Sequence, residues 1–167
     1  MIVGQAPGAV EGEERRPWRG RAGQILRRWL ELDEEDFYAM FYCVSVTRCY
    51  PGKDPSGRGD RTATPREIEL CRFWLDWDLR LVRPAVVVVV GGLATRRLLG
   101  ISRLDDCIGS RFKLGGAVAV PLPHPSGISR WLNEPANRAR LADALALLRD
   151  ELRRAGVAPA AARTRTT

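Results

Sequence analysis

The only histidine of the chain lies in the segment Pro123-His124-Pro125-Ser126-Gly127. Prolines on both sides exclude a helix and restrict the backbone, so the imidazole is held in a fixed direction. An imidazole held in this way suits hydrogen-bond donation or proton transfer at a reaction centre, although a single histidine is more often structural. The segment predicts a rigid loop that points its side chain into a pocket.

Two other segments with unusual loop composition each follow a predicted strand. They are Gly4-Gln5-Ala6-Pro7-Gly8 and Ser45-Val46-Thr47-Arg48-Cys49. In open parallel sheets, ligands bind beyond the carboxyl ends of the strands. We therefore expect these two loops and the His124 loop to converge on one pocket.

Apolar patterning predicts the elements that carry the loops. Strands are expected at 2–4, 38–46, 85–90 and 117–122, and residues 111–114 are expected to pair with the last strand as a hairpin. Helical periodicity covers 22–32, 65–81, 93–99 and 137–152. The valine run at 85–90 is apolar on both faces, which is typical of a central strand covered on both sides. The alternation predicts a three-layer α/β domain with a mainly parallel, four-stranded sheet.

Length and composition limit the class of protein. With 167 residues, 45% of them hydrophobic and 28% charged, the chain predicts one folded domain, assigned to residues 1–152, followed by a basic, disordered tail at 153–167. There is neither a secretory signal nor an apolar stretch of the roughly 20 residues that a membrane span needs, so the cytosol is the expected compartment. Only three residues precede the first loop, which predicts either a very short strand or a natural start further upstream.

The net charge of +7 favours a polyanionic partner, and 25 of the 27 basic residues are arginines. The tail carries a large share of this excess. The remaining informative charge lies in two predicted loops, one around Trp18 and one after Cys49. Their basic residues are Arg15, Arg16, Arg19, Arg21, Arg48, Lys53, Arg58, Arg61 and Arg66.

Four motifs in register give the chain a family resemblance. They are Gly4-Gln5-Ala6-Pro7-Gly8, residues 16–24 around Trp18, Arg48-Cys49 with the downstream Pro65-x-Glu67-Ile68-x-x-Cys71, and His124-Pro125-Ser126-Gly127-Ile128-Ser129. Together they resemble the uracil-DNA glycosylase superfamily, with family 4, the iron-sulfur type, as the nearest branch. The resemblance covers residues 1 to about 150. It implies an α/β/α sandwich that binds a base flipped out of DNA and hydrolyses its N-glycosidic bond.

The resemblance also implies roles for individual residues. His124 would donate a hydrogen bond to the pyrimidine oxygen where negative charge develops, helped by backbone N–H groups of Gln5 and Ala6. Trp18 would stack on the flipped base, and Glu11 would orient or activate water. The alternatives are a tryptophan packed beneath a Pro-rich loop and a solvated acidic side chain.

The same loop as His124 would contact the DNA duplex. By resemblance, Ile128 is a wedge that fills the space left by the flipped nucleotide. Ser126, Gly127 and Ser129 would approach phosphates, and Arg130 would touch the opposite strand.

Two positions depart from the family pattern. Ala6 stands where the family 1 enzymes have an aspartate, as in other branches that lack it, so water is expected to be activated from elsewhere or only weakly. Ser45 stands where family 4 has an asparagine that reads the uracil edge, and a hydroxyl is shorter and less fixed in direction. We therefore expect a relaxed or shifted range of bases, such as 5-substituted uracils or deaminated purines.

Two cysteines match half of the family 4 cluster site. Cys49 and Cys71 correspond to its second cysteine pair, with a longer separation because residues 52–64 look inserted. The first pair lies upstream of the first strand in that family. A [4Fe–4S] cluster is therefore expected only if upstream cysteines exist in the natural protein.

These observations predict a monofunctional DNA repair glycosylase that acts as a monomer on single- or double-stranded DNA carrying uracil or a damaged base. Lyase chemistry is not expected, because Lys53 and Lys113 both lie far from the three loops in sequence. One alternative is a catalytically weak protein of the same fold that binds DNA lesions. Another is a small-molecule α/β enzyme with a phosphate-binding glycine loop, which the missing Gly-x-Gly-x-x-Gly and Walker patterns disfavour.

Overall fold

The computed structural model describes residues 1–57, 59–126, 130–157 and 159. Within them the chain forms a five-stranded sheet in the order β2-β1-β3-β5-β4. The strands are β1 (Ile2–Gly4), β2 (Cys43–Ser45), β3 (Val86–Val90), β4 (Phe112–Leu114) and β5 (Ala117–Leu122). All neighbouring pairs are parallel except β4 with β5. The prediction of four strands is thus one too few, because β4, the hairpin partner of β5, is itself the edge strand of the sheet.

The central strand is buried as its composition predicts. Each of the five valines of β3 is at most 5% exposed. Val86, Val88 and Val90 pack into one hydrophobic cluster, and Val87 and Val89 pack into another. Two separate cores on opposite faces of the sheet make the three-layer α/β/α sandwich.

Six α-helices occupy the described residues. They are α1 (Ala9–Glu14), α2 (Arg21–Leu30), α3 (Glu34–Met40), α4 (Pro65–Val82), α5 (Gly92–Leu99) and α6 (Pro135–Arg154). Helices α2, α3 and α6 contribute Leu26, Phe37 and Leu148 to one core, and α4 and α5 contribute Leu75 and Ala94 to the other. None of these helices is long and apolar enough to span a membrane.

The predicted strand at 38–46 is wrong over most of its length. Its first three residues belong to α3, and the strand itself is only Cys43–Ser45. Asp33 starts α3 by accepting a hydrogen bond from the backbone N–H of Asp36 at 2.8 Å. Phe37 is fully buried on this helix. The aromatic residues that suggested a strand therefore anchor a helix.

The last helix runs further than predicted at both ends. Helix α6 ends at Arg154, inside the segment assigned to the tail, and the Val157 N–H closes it on the carbonyl of Leu152 at 2.9 Å. Val157 also packs against the main core. Residues 153–157 of the predicted tail therefore form the end of this helix and its closing turn. The prediction for residues 158 and 160–167 lies outside the described residues.

Candidate active site

A cavity of about 970 Å³ opens at the carboxyl ends of the parallel strands. The loops that follow β1, β2 and β5 all contribute to its wall. From the predicted site the wall contains Gln5, Ala6, Glu11, Trp18, Ser45, Cys49, His124 and Ser126. The structure thus brings the three predicted loops to one place.

Backbone hydrogen bonds hold the first two loops together beyond the end of the sheet. The Val46 N–H donates to the Gly4 carbonyl at 3.0 Å, and the Thr47 N–H donates to the Gln5 carbonyl at 3.1 Å. The Thr47 side chain is buried beside them. The parallel pairing of β1 with β2 therefore continues into the cavity wall and fixes the Gln5 backbone.

His124 lies on the loop after β5, where its backbone is held by neighbouring prolines and by a hydrogen bond from the Ser126 N–H to its carbonyl at 2.9 Å. Gly91, which has a φ of +87°, makes room for the imidazole, because a Cβ there would lie 3.4 Å from His124 Cδ2. Burial lowers the pKa of His124 below its ordinary value of 6.5, and the charge of Asp60 opposes this shift. The imidazole is therefore mainly neutral at pH 7 and offers one N–H donor.

Trp18 is both packed against the fold and part of the cavity wall, so its position is compatible with a packing role and with a stacking role. Its indole is 9% exposed and packs against Gly4, where a Cβ would come within 2.9 Å of the ring, yet it also lines the cavity. The ring centroid lies 6.3 Å from that of His124 at an interplanar angle of 36°. Trp18 has a left-handed backbone with a φ of +60°, a conformation that costs energy for a bulky residue. This strain sits at the wall of the cavity.

The Glu11 carboxylate is hydrogen-bonded to the backbone through both oxygens. Its Oε2 accepts from the Gly8 N–H at 3.1 Å and its Oε1 accepts from the Gly20 N–H at 2.7 Å. The carboxylate thereby ties the loop after β1 to the loop that carries Trp18. Both oxygens accept charge-assisted bonds, so the geometry favours a positioning role over the water activation predicted by resemblance.

Ser45 ends β2 and lines the cavity. Its hydroxyl donates to the Thr47 carbonyl at 2.6 Å. Because this bond uses the hydroxyl proton, the Ser45 oxygen can take part in a further hydrogen bond only as an acceptor. An asparagine at this position would offer both a donor and an acceptor.

The model of the Uracil DNA glycosylase superfamily matches residues 1–149. The chain belongs to this superfamily. Among similar proteins, the type-4 uracil-DNA glycosylase of Thermotoga maritima is 29% identical over 149 residues, which cover 86% of this chain and 72% of that protein. The type-4 uracil-DNA glycosylase of Archaeoglobus fulgidus is 32% identical over 68% of this chain and 53% of its own length. That of Pyrobaculum aerophilum is 28% identical over 88% and 74%.

The segment that the superfamily resemblance assigns to DNA contacts is described only in part. Ser126 lines the cavity. Gly127, Ile128 and Ser129 lie outside the described residues, as does the side chain of Arg130, whose backbone begins a 3-10 helix at Arg130–Asn133.

Cys49 lines the cavity, and Cys71 contacts the residue that precedes it. Cys49 is exposed. The backbone N–H of Arg48, which precedes Cys49, donates to the Sγ of Cys71 at 3.4 Å. No group of three or more metal-binding side chains occurs within the described parts of the chain. The two thiols supply half of the ligands of a four-thiolate cluster, so the described residues do not fit a complete site.

Ion pairs change the interpretation of the basic loops. Arg16 and Arg19 pair with Glu34, Arg48 pairs with Asp78, and Arg61 pairs with Glu67. Arg58 lies outside the described residues. Of the remaining basic residues, Arg15 and Arg21 line the cavity and have no acidic partner within the described ranges. They are the cationic groups of the rim that a phosphate could meet.

Two functional candidates escaped the sequence analysis. Asp60 and Tyr50 both line the cavity, and the Tyr50 hydroxyl donates to Asp60 Oδ1 at 2.8 Å. Asp60 comes from the segment at 52–64 that interrupts the family pattern, so no motif identified it. The only available signal was an acidic residue in a Gly-rich loop that follows a strand of the sheet.

Proposed function

We propose that this chain is a DNA repair glycosylase that hydrolyses the N-glycosidic bond of uracil, or of a related deaminated or damaged base, flipped out of DNA. The observation that carries the proposal is the pairing of the Trp18 and His124 rings, 6.3 Å apart, in one cavity at the strand ends. Membership of the superfamily and similarity to type-4 uracil-DNA glycosylases support it.

The chemistry follows from the bond that breaks. Cleavage between C1′ of the sugar and N1 of the base leaves positive charge on the sugar and an extra electron pair on the base. A neutral His124 donates its N–H to the pyrimidine oxygen where that charge develops. A preorganised donor of this kind contributes about 3 to 4 kcal/mol to transition-state stabilisation.

Binding of the flipped base uses the remaining walls. Trp18 provides a flat surface for stacking, worth about 1 to 3 kcal/mol and tolerant of base identity. Ser45 accepts a hydrogen bond from the ring N–H of uracil, and its own proton remains on the Thr47 carbonyl. A single acceptor selects less strictly than an amide, which favours a range that extends to other deaminated bases.

The reaction is a hydrolysis without lyase chemistry. A Schiff base needs a lysine amine at C1′. Lys53 is exposed on the loop after β2 and is thus nearer to one of the three loops than expected, and Lys113 is exposed on the edge strand β4. Neither lysine contributes to the cavity wall.

The proposed steps use only side chains and water and do not require an iron-sulfur cluster. When bound, such a cluster would use Cys49 and Cys71 as two of its ligands and would tie the loop after β2 to α4. Iron analysis and the visible spectrum of the purified protein, compared with those of a chain extended upstream, test this. The 167-residue chain is expected to hold less than one cluster per protein, and a stoichiometric cluster in it would contradict the half-site.

A second candidate function is a lesion-binding protein of the same fold with weak hydrolysis. Ala6 and Ser45 favour it, because Ala6 lacks the water-activating aspartate of the family 1 enzymes and Ser45 replaces the asparagine that reads the uracil edge in family 4.

One assay separates the two functions. Free base released from a uracil-containing oligonucleotide is measured for the wild type and for His124→Ala under single-turnover conditions. For a glycosylase, wild-type release is expected to fall about 10²- to 10³-fold in the variant. Tight binding of the uracil-containing strand without release would establish the lesion-binding protein instead.

A further inference from the structure

Asp60 is held at the cavity by a structured turn. The Asp54 N–H donates to the Gly59 carbonyl at 2.9 Å, the Arg61 N–H donates to the Gly52 carbonyl at 3.0 Å, and Lys53 and Asp60 form a β-bridge. These bonds fold the loop back on itself. The carboxylate is therefore delivered to the cavity by fixed backbone rather than by a free loop.

One oxygen of Asp60 is anchored and the other faces the loop after β1. Oδ1 accepts the hydroxyl of Tyr50 at 2.8 Å. Oδ2 lies 3.3 Å from the place that a Cβ on Gly8 would occupy. Among the described residues, no donor is recorded on Oδ2, so this oxygen remains available to accept a proton or a water.

The surroundings distinguish Asp60 from the other acid of the cavity wall. Glu11 and Asp60 are the two carboxylates of the described wall. Both carboxylate oxygens of Glu11 accept hydrogen bonds from backbone N–H groups. Asp60 also lies close enough to His124 for its charge to act on the imidazole. The available carboxylate and the proposed donor to the leaving base thus face one space.

We propose that Asp60 is the general base that activates the hydrolytic water, a role left open by Ala6. The inference rests on the proposed glycosylase function. As the bond from C1′ to N1 breaks, its electron pair leaves with the base. The water oxygen bonds to C1′, and its proton passes to Asp60 Oδ2 and then to solvent or to the departing base anion. General bases of this kind contribute about 10²- to 10⁴-fold in rate.

The test compares two isosteric substitutions in the same loop. Asp60→Asn removes the base. Asp54→Asn is the matched control, because the Asp54 carboxylate accepts a hydrogen bond from the Ser56 N–H and does not line the cavity. Single-turnover release of uracil and the dissociation constant for the same strand are measured for both. Asp60→Asn is expected to lower the rate about 100-fold or more with the dissociation constant changed less than about threefold. Asp54→Asn is expected to match the wild type.

Tyr50→Phe gives a second test, and as a single variant it remains informative even if Asp60→Asn folds poorly. Tyr50→Phe removes the bond that orients Oδ1 and is expected to lower the rate about three- to tenfold when Asp60 is present. In the Asp60→Asn background it should have no further effect, because its action passes through the carboxylate.

The outcomes separate the two claims. A wild type that releases no base refutes the glycosylase function itself. A wild type that releases base while Asp60→Asn stays within about threefold of it refutes only the general base. Parallel loss of rate and affinity would assign Asp60 to DNA binding instead.

Discussion

Glu11 Oε1 accepts a hydrogen bond from the backbone N–H of Gly20 at 2.7 Å, and this contact holds the Trp18 loop against the first turn of α1. The same carboxylate reaches the loop after β1 through Gly8. The loop after β1 and the loop that carries Trp18 therefore share one anchor. This part of the cavity wall is held together by an acidic side chain.

Glu11→Gln should act on the fold more than on the chemical step. The amide keeps one acceptor and presents a donor to a backbone N–H, so loss of a charge-assisted bond is expected to cost roughly 1 to 3 kcal/mol of unfolding free energy. Denaturant unfolding measures this. The single-turnover rate should fall less than in Asp60→Asn. A larger loss of rate in Glu11→Gln, with unchanged stability, would restore Glu11 as the base.

Ser45→Asn should sharpen the choice of base. The amide supplies both a donor and an acceptor to the uracil edge, whereas the serine proton is held by the Thr47 carbonyl. The ratio of release rates for uracil and for hypoxanthine, measured in matched oligonucleotides, is expected to rise about tenfold or more. Ser45→Ala serves as the control and should lower uracil release. Identical ratios in all three proteins would show that Ser45 does not read the base.

Arg15 and Arg21 should carry a measurable part of DNA affinity. Each lines the cavity without an acidic partner in the described chain, so replacement by Gln is expected to reduce the slope of log Kd against log salt by about one. Lys113→Gln, on the edge strand away from the cavity, is the charge-matched control. Equal slopes for the wild type and both arginine variants would move the phosphate contacts elsewhere.

The fold was largely predictable, and the reasons lie in particular elements. The valine run of β3, the capping box of Thr64 and Glu67 at the start of α4, and the leucine stripe of α6 are local patterns that tertiary contacts reinforce. Helix α3 was not foreseen, because its aromatic residues favour a strand when the Asp33 cap is overlooked. Local pattern fails where a cap outweighs side-chain propensity.

The site was predictable in its loops and not in its partnerships. His124 and Ser45 follow from motifs at strand ends, and Trp18 follows from the motif at 16–24. The bonds of Glu11 to Gly8 and Gly20, the pairing of Arg19 with Glu34, and the approach of Asp60 all join residues through the tertiary fold. The spacing of residues along the chain does not predict such contacts, since they depend on how loops from different strands meet.

Acid should destabilise the protein through His124. Because burial holds the pKa of the folded imidazole below 6.5, the unfolded chain takes up a proton that the folded chain refuses. The contribution of His124 to stability is complete above pH 6.5 and is lost as the pH falls from 6.5 toward the folded pKa. The urea concentration at the unfolding midpoint should therefore decrease more between about pH 8 and about pH 5 for the wild type than for His124→Gln. Equal falls in the two proteins would mean that the imidazole is solvated.

The backbone of Trp18 fits against helix α2 with no space left over. A Cβ at Gly23 would lie 1.8 Å from the Trp18 carbonyl oxygen, and the Arg27 guanidinium binds that same oxygen at 2.9 Å. A library that diversifies base preference should therefore keep Gly23 and Arg27 constant and vary Gln5 and Ser45. Gly23 and Arg27 fix the position of the Trp18 ring, whereas Gln5 and Ser45 line the cavity, so this wall can be varied without rebuilding the scaffold.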